Sequence, residues 1–263
     1  MRTLRSSKPF FISCLLAFFF SAAAGQTPVR MMPLGNSITD GSGSSHDGGY
    51  RRDLYDLLQN AGIAFDFVGS RQTGADFSDR DHEGHPGFLA AQLNVQSYLA
   101  NRPADVIFLE IGTNDLSYGE RAGRIRDDIE RLVEAIHQAK PSIAIYLATV
   151  IPRRRTSAQQ QQTDALNAML PDLVNAKSAA GHKIHLVDVA ARFKAVSNWP
   201  AVLMDDDLHP NDAGYALMAN AWFEAYVKPS PPPRISFSPT DLKPARWMKT
   251  SGCAERIAAI LRA

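Results

Sequence analysis

From residue 29 onward, short apolar runs alternate with stretches whose apolar positions recur every three or four residues. Val29 to Leu34 reads as a first strand, and Tyr50 to Ala61 carries apolar residues at 50, 54, 57, 58 and 61, a helical stripe that Gly62 is placed to stop. Phe65 to Val68 reads as a second strand, Leu89 to Ala100 as a helix, and the continuous apolar run Val106 to Ile111 as a buried central strand. Ile125, Ile129, Leu132, Val133 and Ile136 repeat at helical spacing ahead of Pro141 and a fourth strand at Ile143 to Val150. Leu166 to Val174 marks another helix, Ile184 to Val187 a fifth strand and Asp212 to Tyr226 the last helix. Strands alternating with helices build βα units around a parallel sheet covered on both faces, so the pattern predicts an α/β fold. In such sheets the loops leaving the carboxyl ends of the strands converge on one edge, where ligands bind.

The two ends of the chain do not share this pattern. Residues 1–25 hold Arg2, Arg5 and Lys8 and no acid, followed by the apolar run Phe10 to Ala24. A basic start, a short apolar stretch and the small residues Ala22-Ala23-Ala24-Gly25 describe a secretory signal peptide. About 15 apolar residues fall short of the roughly 20 that span a bilayer as a helix, so no stable membrane insertion is expected after cleavage. At the other end, Lys228-Pro229-Ser230-Pro231-Pro232-Pro233 opens a Pro-rich linker and a basic tail over 229–263, leaving 26–228 as the folded domain. The formal net charge of +1 therefore divides into +3 on the leader, −6 on the domain and +4 on the tail. There is no basic excess to bind phosphates, which argues against nucleic acid as a partner. Cys14 and Cys253 are the two cysteines, and loss of the first with the leader leaves no internal disulfide.

The chemistry-bearing residues follow strands. Gly35-Asn36-Ser37 comes after the first, where a strand-to-helix turn can expose both a serine hydroxyl and its own N–H, although the second glycine of a Gly-x-Ser-x-Gly elbow is missing. A serine nucleophile needs an imidazole to take its proton and a carboxylate to orient that imidazole. Asp205-Asp206-Asp207-Leu208-His209-Pro210-Asn211-Asp212 supplies both, and the Asp-x-x-His spacing selects Asp206 with His209, while Asn211 and Asp212 can cap the helix that follows. Gly112-Thr113-Asn114-Asp115 ends the central strand, where the Asn114 amide can donate to a developing oxyanion. His82-Glu83-Gly84-His85-Pro86-Gly87-Phe88 lies between the second strand and the next helix and can offer the Gly87 N–H. His82 and His85 could alternatively be metal ligands with Asp79 or Asp81, but no Cys or Glu cluster completes such a site.

Ser37, Gly87, Asn114 and His209 occur in four blocks in a fixed order, and in this the chain resembles the SGNH hydrolase superfamily, the GDSL esterases. The first block carries Asn36 where that superfamily commonly has Asp, a side chain outside the catalytic set. The wording of Gly35 to Gly41, Gly49-Tyr50-Arg51, Phe67-Val68-Gly69-Ser70, His82 to Gly87 and His209 to Tyr215 is similar to carbohydrate esterase family 3, whose members are described as acetyl xylan esterases. The resemblance implies a three-layer α/β/α sandwich with a five-stranded parallel sheet, flavodoxin-like in arrangement. It further implies a Ser37-His209-Asp206 acyl-enzyme mechanism, an oxyanion hole of Ser37, Gly87 and Asn114, no cofactor, and an enzyme acting on acetylated polysaccharide or another small ester, which fits the secretion expected from the signal peptide. A lysophospholipase or thioesterase of the same superfamily, or a non-catalytic polysaccharide-binding protein on the same scaffold, are the competing readings.

Overall fold

The structure, a computed structural model, describes residues 27–154 and 157–228. The expected signal peptide, the Pro-rich linker, the basic tail and both cysteines lie outside the described residues.

The chain runs β1 (Val29–Gly35), α1 (Ser37–Asp40), α2 (Tyr50–Asn60), β2 (Phe65–Phe67), β3 (Arg71–Gln72), β4 (Asp81–Gly84), a 3-10 turn (Ala90–Gln92), α3 (Val95–Asn101), β5 (Val106–Glu110), α4 (Thr113–Ser117) and α5 (Ala122–Ala139). It continues with β6 (Ala144–Ala148), α6 (Ser157–Ala179), β7 (Lys183–Val187), α7 (Val189–Lys194), α8 (Trp199–Val202) and α9 (Asp212–Val227). The five strands expected from the apolar runs form one parallel array in the order β2-β1-β5-β6-β7.

Two further strands extend it. β4 pairs in parallel with the last residues of β1, Leu34 opposite Glu83 and Gly35 opposite Gly84, and β3 lies antiparallel on β4. The sequence Asp-His-Glu-Gly of β4 has no apolar alternation, so it reads as a loop, yet His82, Glu83 and Gly84 are buried. The Leu89–Ala100 region also departs from a single helix. Asn94 accepts a hydrogen bond from Ser97 N at 3.2 Å and starts α3 as its cap, so the chain breaks between the 3-10 turn and the helix.

Side chains alternate across the sheet as strand geometry requires. On β5, Ile107 and Leu109 join the core under α3, α5 and α6, while Val106 and Phe108 join the core under α2, α7 and α9. Three layers result, with helices on both faces of the sheet. On the second face Trp222 of α9 is fully buried against Tyr50 of α2 and Phe108, with ring centroids 5.8 and 5.4 Å away. Burying a side chain of this size contributes about 3 kcal/mol or more before entropy is subtracted. This contact locks α2, which follows the Ser37 turn, to α9, which follows His209. Among the described residues no helix is long and apolar enough to cross a membrane.

Candidate active site

β1 delivers the chain to the carboxyl ends of the parallel strands, and Asn36 turns it into α1. The Asn36 side chain accepts from Ile38 N at 2.8 Å, capping a helix of a single turn whose first residue is Ser37. The Ser37 hydroxyl lies 2.9 Å from Nε2 of His209.

His209 sits on the loop between α8 and α9. Met204 and Pro210 pair as an antiparallel bridge and Asp205 N donates to His209 O at 2.9 Å, pinching residues 205–209 into a compact turn. Asp206 folds this turn from inside: its Oδ1 accepts from Leu208 N at 2.6 Å and His209 N at 2.7 Å, and its Oδ2 lies 2.8 Å from His209 Nδ1. Partial burial alone would raise the Asp206 pKa, but the hydrogen bonds from the imidazole and these two backbone N–H groups outweigh it and hold the carboxyl below its ordinary value. An ionised carboxylate only accepts, so the proton of neutral His209 is on Nδ1 and Nε2 is free to accept from Ser37. Of the three consecutive aspartates, Asp206 is the one whose carboxylate hydrogen-bonds the ring.

The two loops are tied together from several sides. Tyr215 of α9 donates to Ser42 O at 2.6 Å, and Asp212 accepts from Ser45 N at 2.8 Å and Ser45 Oγ at 2.7 Å. Between them Gly43, at φ +90°, lies so close to the histidine loop that a Cβ would sit 2.7 Å from Pro210 O and 2.9 Å from His209 Cβ. A side chain there would force this loop and the histidine loop apart. Asn211 caps α9 by accepting from Gly214 N at 3.1 Å, as expected, while Pro210 stays in the bridge just outside the helix.

Gly87 occupies an exposed turn at φ +83°, a left-handed conformation that favours glycine. Its loop is anchored at both ends: His85 N donates to Gly35 O at 2.9 Å, and the Asn114 amide, in the first turn of α4, donates to Phe88 O at 2.9 Å. That bond uses one of the two amide N–H groups of Asn114. Gly87 and Asn114 are thus brought to one connected loop pair beside the end of β1, although neither hydrogen-bonds Ser37 directly.

The histidines of the same segment are committed to holding it. His85 stacks between Phe88 and Tyr98, with centroids 4.7 and 5.2 Å away, and its Nε2 lies 2.8 Å from Oε1 of the fully buried Glu83. Glu83 also accepts from Ser70 N and Ser70 Oγ, each at 2.8 Å. His82 accepts from Gly84 N at 3.0 Å and lies 2.9 Å from Thr73 Oγ1. Burial, with the charges of Arg51 and Arg71 nearby, pushes its pKa far below the ordinary histidine range. Both rings therefore act as neighbours to protein groups, and among the described residues no set of three or more His, Cys, Asp or Glu side chains is placed to hold a metal ion. The Glu83–His85 anchor escapes a reading of sequence alone, since two histidines and a glutamate in a polar run are indistinguishable from a solvated loop.

Glu110, the last residue of β5, is fully buried below the nucleophile turn. Burial pushes its pKa up to about 7, opposed by the Thr113 hydroxyl at 3.4 Å and reinforced by the charge of Asp115. The folded protein therefore holds this proton more tightly than the unfolded chain does. Glu110 contributes fully to stability below its ordinary value of 4.5, and the contribution is lost as pH rises through about 7. Glu110→Gln is expected to raise the thermal midpoint relative to wild type near pH 8 and to change it little near pH 4, as read by calorimetry. An equal shift at both pH values would contradict a buried, titrating acid.

Residues 34–217 match the model of the GDSL-like lipase/acylhydrolase family. A multidomain esterase of Ruminococcus flavefaciens is 29% identical over 244 residues, 81% of this chain and 30% of its own length. A putative endoglucanase X of Acetivibrio thermocellus is 27% identical over 132 residues, 50% of this chain and 54% of its own length. The chain thus spans 30% and 54% of these two curated relatives. Among solved structures, a Clostridium thermocellum family 3 carbohydrate esterase is similar at 32% identity and TM-score 0.64, covering 75% of this chain and 94% of that one. A carbohydrate esterase family 3 protein of Talaromyces cellulolyticus is similar at 26% identity and TM-score 0.65, covering 76% and 96%. An acetyl esterase variant holding an acetate ion has the same identity, 26%, and a TM-score of 0.65, covering 76% and 96%.

Proposed function

Because the chain belongs to the GDSL-like lipase/acylhydrolase family and groups within it with carbohydrate esterase family 3, we propose that it is a serine esterase that removes acetyl groups from carbohydrate, acetylated xylan foremost. The observation that carries the chemistry is the continuous chain from Ser37 Oγ through His209 to Asp206, at 2.9 and 2.8 Å. His209 Nε2 takes the Ser37 proton as Oγ attacks the ester carbonyl, and Asp206 stabilises the imidazolium that forms. The tetrahedral oxyanion is held by the backbone N–H groups of Ser37 and Gly87 and by the remaining N–H of the Asn114 amide. Collapse breaks the ester bond, the sugar oxygen leaves with the proton from His209, and Ser37 carries the acetyl group. Water then attacks, with His209 again as base, and acetate leaves.

The acetyl–carbohydrate reading is supported by the likeness to family 3 carbohydrate esterases and to an acetyl esterase variant. A polymeric substrate is met outside the cell, which agrees with the basic and apolar leader of residues 1–25 and with secretion. Acetate release from acetylated xylan, set beside hydrolysis of p-nitrophenyl acetate and p-nitrophenyl octanoate, tests the reading. Strong preference for the octanoate ester with no acetate from xylan would replace it with a lipase-like activity. Asn114→Ala is expected to lower kcat on p-nitrophenyl acetate by about 10²–10³-fold with KM little changed, since the lost bond forms in the transition state. A rise in KM at constant kcat would remove Asn114 from the oxyanion hole.

A further inference from the structure

Arg51 lies in the first turn of α2 and its side chain is completely buried. A guanidinium removed from water ordinarily has a carboxylate beside it, because the charge otherwise loses its hydration without return. Among the described residues no carboxylate forms an ion pair with Arg51; the hydrogen bonds it makes run to oxygens that carry no formal charge. Nε donates to Thr39 O at 2.8 Å and Nη1 to Arg80 O at 3.0 Å. Nη2 faces Asp40 O at 3.0 Å, Thr73 O at 3.1 Å, Thr73 Oγ1 at 2.8 Å and Asp47 O at 3.4 Å. Burial pushes its pKa down to about 10, so it stays protonated at neutral pH.

Thr39 O and Asp40 O are the last carbonyls of α1, the one-turn helix that begins with Ser37. A helix this short closes too few hydrogen bonds to hold its own geometry. Its N-terminal end is capped by Asn36; its C-terminal carbonyls have no intrahelical donors, and a cation is favoured beside them. The remaining acceptors belong to residues 47, 73 and 80, so one planar group references α1 to segments on both sides of α2.

We propose that Arg51 is a positioning residue for the Ser37 nucleophile, its guanidinium fixing α1 from the C-terminal end and thereby the direction of the Ser37 hydroxyl and backbone N–H. This rests on the esterase reading above. Lysine cannot substitute, because its three donors radiate from one atom and do not span Thr39, Asp40 and Arg80 together.

A role in packing alone would lower the folded fraction, whereas a positioning role lowers turnover in molecules that remain folded. The test compares wild type, Arg51→Lys and Arg51→Met well below their unfolding temperatures, with circular dichroism, kcat and KM for p-nitrophenyl acetate, and the rate of Ser37 phosphonylation by a p-nitrophenyl phosphonate. Folded Arg51→Lys is expected to lose about 10-fold and Arg51→Met about 100-fold in kcat, with KM within about threefold and phosphonylation slowed in parallel. The pH midpoint of kcat/KM should stay where it is, because Asp206 and His209 are untouched. Folded variants with kcat within about twofold of wild type, or losses confined to KM, would overturn the proposal. If Arg51→Met does not fold, Arg51→Lys, which keeps the charge and the alkyl stem, decides by itself. Failure of the esterase reading shows separately, as wild-type protein that is not phosphonylated at Ser37, and would overturn both.

Discussion

Ser37→Ala is expected to lower kcat for p-nitrophenyl acetate by about 10⁴–10⁶-fold while the protein remains folded. Only the hydroxyl changes. Its hydrogen bond goes to His209, whereas the turn that holds it is capped by the Asn36 side chain and bound at its far end by Arg51. The stability cost is therefore that of one hydrogen bond, about 1 kcal/mol. What is lost is the atom that becomes acylated, for which the remaining oxyanion donors cannot compensate. Turnover of the purified variant, with mass spectrometry showing no acyl adduct, checks this. Activity within tenfold of wild type would place the nucleophile elsewhere.

Asp206→Asn is expected to cost about 10⁴-fold in kcat, the size of fall seen for the corresponding change in a serine protease triad, while Asp205→Asn and Asp207→Asn stay within a few-fold of wild type. The amide oxygen at 206 can still accept from Leu208 N and His209 N, so the 205–209 turn survives. An amide N–H₂ facing Nδ1, however, favours the imidazole tautomer with its proton on Nε2. That tautomer cannot accept from Ser37. The neighbouring aspartates share the charge of the loop, whereas the ring hydrogen-bonds Asp206, so a field effect alone would penalise all three variants alike. Equal losses would thus replace the orienting role of Asp206 with a general electrostatic one.

The strand–helix alternation was legible because apolar periodicity reports which face of each element is buried. β1, β2, β5, β6 and β7 each carry an apolar run, and each lies within two residues of the expected strand at both ends. β4 was invisible for the complementary reason: its buried faces are His82 and Glu83, polar groups satisfied by Thr73, Ser70 and His85 instead of by exclusion from water. Periodicity registers hydrophobic burial and is blind to burial achieved by hydrogen bonding. The break before α3 was hidden likewise, since Leu89 and Leu93, and Val95 and Leu99, each keep helical i, i+4 spacing while the Asn94 cap interrupts the backbone.

At the site, Asp206 and His209 were readable as a pair because three residues on one turn need no distant structure to meet. Ser37 and His209 are 172 residues apart, and nothing local requires them to lie at 2.9 Å. Their order along the chain pointed to a serine hydrolase by resemblance alone. The distance is produced by β1 lying in the middle of the sheet, by the Tyr50–Trp222 contact between α2 and α9, and by the Tyr215 and Asp212 bonds to residues 42 and 45. Arg51 shows the limit most clearly. As a sequence position it is a polar residue at the start of an amphipathic helix; in the fold it is a buried cation whose hydrogen bonds run to carbonyl and hydroxyl oxygens around the nucleophile turn.

The sequence by itself determined the α/β class, the strands of the parallel array and the local Asp206–His209 partnership, because these follow from residue type and short-range spacing, while the candidate nucleophile came from the order of four motif blocks. Tertiary structure alone decided that Ser37 meets His209, that Gly87 and Asn114 share one anchored loop pair, and that Arg51 and Glu83 are buried. Each of these is a contact between distant segments, set by how the helices close on the sheet and by where hydrogen bonds can replace water.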